Sequence, residues 1–391
     1  MVTPKRSNPF YKMHSIDLYL ADKLKTRENA GNLRMLSTGR AGVDFFSNDY
    51  LGLVTNGVLA ELVTKEFGNK LSTGSTGSRL LSGNNIEIEE LEKQIAHFHR
   101  AEAALVFNSG YDANLGLISC ISDRHTTILY DELCHASIHD GIRLGICNNK
   151  FHFMHNNLAD LEAKLAKHSG NQKIIVAIES VYSMDGDFAL LVEIVGLCEK
   201  YGANLIVDEA HATGVIGQKG EGLVNKLGLE KRVFARVHTF GKALGSHGAA
   251  VLGSEVLKQY LINFARPFIY STALPMHSVL ATKCAYDYLA SPSFTNKPLN
   301  ELIAYFRAKA IDSGLKGWIH SDSPIQALVI GSNTRSRQIA FALQNAGLQV
   351  NPILHPTVPL GMERLRICLH TFNTRAQIDQ LFKTIKDSWE K

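Results

Sequence analysis

A single lysine is enclosed by glycines in Thr239-Phe240-Gly241-Lys242-Ala243-Leu244-Gly245, with an apolar run from Gly248 to Gly253 close behind. An amine among such small neighbours can hold a carbonyl compound as a Schiff base, and the bare backbone lets a planar ligand lie against it. Thr239 adds a hydroxyl able to donate to a phosphate. An ordinary surface turn would use the same residues. What separates the two readings is whether the rest of the chain supplies the partners such an amine needs.

The strand pattern Asn204-Leu205-Ile206-Val207-Asp208-Glu209-Ala210-His211 supplies one. Aliphatic residues run into a carboxylate, and in doubly wound sheets ligands bind at the carboxyl ends of strands. An anion there suits a pyridine nitrogen that must stay protonated, which makes the ring an electron sink. His211, three residues on, is in reach of a phenolic oxygen on the same ring. Lysine and aspartate together point to pyridoxal 5'-phosphate. Asp-Glu-Ala-His also matches the magnesium-binding strand of a nucleotide hydrolase, which requires a G-x-x-x-x-G-K-[ST] phosphate loop. Here Ala243 follows Gly241-Lys242 and Arg236 stands where the first glycine belongs.

Further candidates fall at the ends of other predicted strands. Ser109-Gly110-Tyr111 opens a helix, so the backbone N–H groups of Gly110 and Tyr111 form an anion site; Asn108 or Ser109 would equally serve as a simple helix cap. His135 can stack over a ring, or be a satisfied structural histidine. Ser183 can join a phosphate shell, or only make a turn. Arg364 and Arg366 alternate on one strand face, where a guanidinium can grip a carboxylate bidentately; a solvent-facing strand is the competing expectation, more so for Arg364.

These residues need a scaffold. Strands are predicted at Ala104–Phe107, Thr127–Tyr130, Lys173–Glu179, Ala203–Asp208 and Ala249–Gly253, with helices between them around 113–121, 138–144, 158–167 and 190–200. That alternation describes an α/β fold with a large, mainly parallel sheet. Unbroken apolar runs such as Ile174 to Ile178 fit strands buried on both faces. An amphipathic helix is expected from Ser15 to Arg27, another helix from Ile86 to His99 after the Gly/Ser-rich loop 72–83, and one from Pro275 to about Leu289. Strands at 325–330 and 364–370 with helices at 337–346 and 375–389 complete a smaller α+β C-terminal domain. The expected division is 1–55 (N-terminal helix and substrate-contacting segment), 56–290 (large domain) and 291–391.

Composition narrows the class. The 391 residues carry a net charge of +4 without a basic stripe, which argues against nucleic-acid binding. Six dispersed cysteines without metal-ligand spacing suggest reduced thiols and no metal site. Residues 1–12 lack the apolar core of a secretory signal, and no run is long enough for a membrane helix, so a cytoplasmic protein is expected.

Taken together, Thr239-x-x-Lys242, Asp208-x-x-His211, Ser109-Gly110-Tyr111, His135 and Ser183-Met184-Asp185-Gly186-Asp187 resemble the α-oxoamine synthases, pyridoxal-phosphate enzymes of fold type I that condense an amino acid with an acyl thioester. The resemblance runs from about residue 15 to the C-terminus. It implies that Lys242 anchors the cofactor and removes the amino acid's α-proton, Asp208 pairs with the ring nitrogen, His211 with the ring oxygen, and His135 stacks on the ring. Gly110, Tyr111, Ser183 and Thr239 would complete the cofactor shell, and Arg34, Asn48, Thr357 and Arg366 would contact substrate. It implies a homodimer sharing its active sites, with Thr272 reaching the partner's cofactor. Phe264 to Pro275 and Gly248 to Leu252 resemble the branch that joins L-alanine to a pimeloyl thioester, carried on coenzyme A or acyl-carrier protein. A sister reaction of glycine with acetyl-CoA is the alternative. The loop Gly83-Asn84-Asn85-Ile86 lacks the family's usual histidines and proline, a departure that bears on the acyl-chain pocket.

Overall fold

The computed structural model describes residues 14–36, 38, 41–68, 74–170 and 173–389; the segment 1–12 and the first two residues of the loop 72–83 lie outside them. In chain order the strands are β1 (Val43–Asp44), β2 (Ala103–Phe107), β3 (Thr126–Asp131), β4 (Asn149–Phe153), β5 (Lys173–Glu179), β6 (Asn204–Asp208), β7 (Ala235–Thr239), β8 (Ala249–Gly253), β9 (Ile325–Val329), β10 (Leu348–Gln349), β11 (Asn351–Ile353) and β12 (Arg364–Cys368). The central sheet has the order β2-β8-β7-β6-β5-β3-β4.

Only β8 runs against the others in that sheet. The cause is the length of the lysine loop. Residues 240–248 are too few for the crossover of about a dozen residues that a parallel return demands, so β8 folds straight back along β7. All other strands end at the same edge of the sheet. Gly110, His135, Ser183, His211 and Lys242 follow strands of this shared direction, which is how positions spread over more than a hundred residues reach one place.

Strand residues alternate between two cores. In β5, Ile174, Val176 and Ile178 enter one cluster, while Ile175 and Ala177 enter the other. Burying each large aliphatic stabilises the fold by about 1.5–3 kcal/mol, and that holds the sheet as a rigid platform. Two strands of the central sheet were not expected from the sequence. β4 is an edge strand with exposed residues, so it has no apolar run. In β7, Arg236 and His238 break the run although both are buried. Arg236 donates to Asn225 Oδ1 and to the His99 carbonyl, and His238 Nδ1 lies 2.9 Å from Thr213 Oγ1.

The N-terminal segment is fastened to the C-terminal sheet (β11-β12-β9). β1 pairs with β10, the Cys368 amide donates to the Phe45 carbonyl at 2.8 Å, and Thr371 donates to the Tyr50 carbonyl at 3.0 Å. This strapping carries Asn48 to β12. The helix Ser15–Asn29 forms as expected, but no residue of it is buried. Its apolar positions Ile16, Leu18, Leu20 and Leu24 are each about half exposed or more and do not share one face, so the helix forms without the expected amphipathic stripe. A helix missed in the sequence, Lys297–Asp312, packs against the C-terminal helix Arg375–Trp389.

Candidate active site

A cavity of about 300 Å³ at the shared strand edge is lined by Asn48, Gly110, Tyr111, His135, Asp208, His211, Thr239 and Lys242. The lysine loop closes on itself: the Phe240 amide donates to the Gly248 carbonyl at 2.9 Å, Ser246 to Phe240 at 2.8 Å and Gly245 to Lys242 at 2.9 Å. Gly245 and Gly248 take φ of 62° and 107°, which favours glycine. The side chain that emerges is fixed in position. Lys242 Nζ lies 2.9 Å from His211 Nε2, and His211 Nδ1 lies 2.8 Å from the Tyr50 hydroxyl.

Burial sets the charges here. It lowers the Lys242 ammonium to about 8, against the pull of Asp208 and Glu179. It pushes His211 well below the ordinary imidazole value, helped by the charges of Lys242 and Arg366. His135 is also lowered, burial outweighing the attraction of Asp208. Glu179 is raised to about 8 by burial and by Asp208 beside it, its partner in the strand register. A buried amine poised near 8 between neutral imidazoles can act as a nucleophile toward a carbonyl and as a base.

Asp208 is held from two sides. The Ala210 amide donates to Oδ1 at 2.9 Å and Asn114 Nδ2 to Oδ2 at 2.7 Å. Nearby, the helix Gly110–Ile121 starts at Ser109, whose hydroxyl accepts from the Asp112 amide at 3.0 Å. Gly110 and Tyr111 are in the first turn, where N–H groups have no intrahelical acceptor. A Cβ on Gly110 would come within 2.5 Å of Thr239 Cγ2, so the two walls meet there only because the residue is glycine. An anion cradle, a ring-side carboxylate and a depressed lysine around one cavity fit pyridoxal 5'-phosphate.

Beside this cavity lies a cleft of about 580 Å³ whose lining includes Arg34, His135, Ser183, Thr357 and Arg364. Arg34 Nη2 donates to the Thr357 hydroxyl at 3.2 Å. Arg366 stands between the two spaces: Nε donates to the Ser183 carbonyl at 2.7 Å and Nη2 to Asn48 Oδ1 at 3.0 Å. The solvent-facing strand weighed for the two arginines is not what forms. Arg364 is buried against Asp185 and Arg366 is buried too, because the loop of Ser183 and Asp185 and the segment of Asn48 cover that face of β12. Thr272 stays apart from Lys242 in its own chain; its carbonyl accepts from Asn108 Nδ2 at 2.8 Å.

Sequence reasoning did not single out Tyr50, Asn114, Ser137 or Glu179. Asn114 follows Ser109-Gly110-Tyr111 by three residues and Tyr50 follows Asn48 by two, so both lie close to recognised positions. Their partners lie 94 and 161 positions away, and no local pattern reports them.

The chain matches the family described as Aminotransferase class I and II over residues 40–385. It belongs to that family, and within it to the α-oxoamine synthases that its motifs resemble. An 8-amino-7-oxononanoate synthase of Emericella nidulans is 42% identical over 392 aligned residues, covering 94% of this chain and 94% of the relative. Among solved structures, a serine palmitoyltransferase from S. paucimobilis with a bound PLP–myriocin adduct superposes with a TM-score of 0.86 at 25% identity, covering 97% and 99% of the two chains. The 8-amino-7-oxononanoate synthase of Francisella tularensis does so with a TM-score of 0.75 at 28% identity, covering 89% and 98%.

Proposed function

We propose that the protein is a pyridoxal 5'-phosphate-dependent acyltransferase that condenses L-alanine with a pimeloyl thioester, on coenzyme A or acyl-carrier protein, releasing thiol and CO2 and forming 8-amino-7-oxononanoate for biotin synthesis. The single observation that carries the reading is Lys242, lowered to about 8 by burial, sharing one cavity with Asp208 and His135 in a chain 42% identical to a named synthase.

The bound cofactor supplies an electron sink for the pair left when the amino acid's α-carbon loses its proton. Lys242 is the anchor and, once released, the base: its neutral Nζ takes that proton and can return it after decarboxylation. Asp208 would face the ring nitrogen of the bound cofactor, and His135 and His211 would present their imidazoles to the ring face and the ring oxygen. Gly110 and Tyr111 offer helix N-terminal amides to the phosphate, with Thr239 and Ser183 completing the shell. Arg366, held by Asn48, Cys368 and Tyr50, is the guanidinium we assign to the substrate carboxylate. Arg34 and Thr357 line the cleft where the acyl thioester approaches.

The same reading gives a homodimer in which Thr272 serves the partner's site, a cytoplasmic location, and the division 1–55, 56–290 and 291–391. Among the described residues, no helix is long and apolar enough to cross a membrane. The test is thiol release from a panel of acyl donors offered alanine, glycine or serine. Alanine with the pimeloyl thioester should turn over fastest; a preference for glycine with acetyl-CoA would overturn the assignment in favour of the sister reaction.

A further inference from the structure

Asn114 sits on the helix Gly110–Ile121 and is 1% exposed. Its Nδ2 spends both protons on partners from different elements, a strand end and a helix. One goes to Asp208 Oδ2 at 2.7 Å, the other to Ser137 Oγ at 3.0 Å. Having accepted from Asn114, the Ser137 hydroxyl gives its own proton to His135 Nδ1, 2.8 Å away. The Ser137 amide also donates to that nitrogen, at 3.2 Å. His135 therefore carries its proton on Nε2.

The other end of the amide is the informative one. Asn114 Oδ1 is buried and has no hydrogen-bond partner among the described residues. Buried acceptors are rarely left so. Turning the amide over would set its oxygen against the Asp208 carboxylate, acceptor against acceptor. The observed orientation accepts an orphaned oxygen to keep both N–H groups where they are, so it serves Asp208 and Ser137 rather than the helix. No backbone link could replace it, since Asp208 ends β6 and His135 follows β3, with β5 between them.

We propose that Asn114 is a positioning residue for the reaction: one amide nitrogen locks the Asp208 carboxylate and, through Ser137, the His135 imidazole into a single rigid pair, holding Asp208 turned into the cavity. This rests on the reading of Asp208 as the partner of the cofactor's ring nitrogen.

The test uses holoenzyme loaded with cofactor 15N-labelled at the ring nitrogen, whose chemical shift reports protonation, together with the cofactor's equilibrium dissociation constant. Asn114→Ala should move the ring signal toward the unprotonated position and weaken cofactor binding by about tenfold, the loss of one charge-assisted hydrogen bond. Asn114→Leu, similar in shape but unable to donate, guards against a folding failure and should move the signal the same way. Ser137→Ala should leave the ring signal in place. A wild-type ring signal and affinity in folded Asn114→Ala or Asn114→Leu would overturn the proposal. A ring that stays protonated in Asp208→Asn would instead overturn the reading of Asp208 beneath it.

Discussion

The hydroxyl of Tyr50 lies 2.8 Å from His211 Nδ1, and the far nitrogen of the same ring lies 2.9 Å from Lys242 Nζ. Tyr50 is fully buried and 4% of His211 is exposed, so water cannot replace either contact. Tyr50 also donates to Asn48 Oδ1, which accepts from Arg366. One chain of polar groups thus joins the lysine to the arginine that we assign to substrate.

Tyr50→Phe breaks that chain with almost no change of shape. A buried nitrogen left without its partner costs about 1–3 kcal/mol, so the chemical-denaturation midpoint should fall and kcat should drop more than KM rises. An unchanged midpoint and kcat would mean the contact is idle.

In the cofactor-free protein, Lys242 should react with an acylating reagent according to its neutral fraction. Because burial lowers it to about 8, labelling followed by mass spectrometry should rise with pH through a midpoint near that value, well below lysines near their ordinary value of about 10.4. A midpoint matching those lysines would remove the case for a neutral base.

His155 clamps the end of β3 to the Ser183 loop, with Nδ1 3.0 Å from Asp131 and Nε2 2.8 Å from Asp187. Burial opposes the charged ring, but the hydrogen bonds and charges of the two aspartates overcome it and raise His155 to about 10. The unfolded value is about 6.5. The clamp's stabilisation is therefore complete below about pH 6.5 and is lost as pH rises through about 10. His155→Gln should lose stability most at pH 6 and least near pH 10; a pH-independent difference would contradict the charged clamp.

Gly110→Ala places a methyl group 2.5 Å from Thr239 Cγ2. One wall of the phosphate cradle must shift, so cofactor affinity should fall while the melting temperature changes little. Wild-type affinity would show that the two walls do not have to meet there.

Much of this architecture is legible in the chain because burial on both faces writes itself as apolar runs: β5 and β8 have the bounds that those runs suggest. What escapes is polar burial and distance. Arg236 and His238 hide β7 because their partners come from other elements. Arg364 reads as a surface residue until Asp185 is brought beside it. Asp208 is recognisable since it ends a strand that announces itself, and Lys242 because glycines enclose it. Tyr50 and Asn114 carry no such signal, and only the folded sheet brings His211 and Asp208 to them.

The most direct test of the central claim is L-alanine labelled with 13C at its carboxyl carbon, mixed with pimeloyl thioester and purified enzyme. One equivalent of labelled CO2 should appear for each thiol released, and both should vanish in Lys242→Ala. Thiol release without labelled CO2, or full turnover in Lys242→Ala, would contradict a decarboxylative condensation run by this lysine.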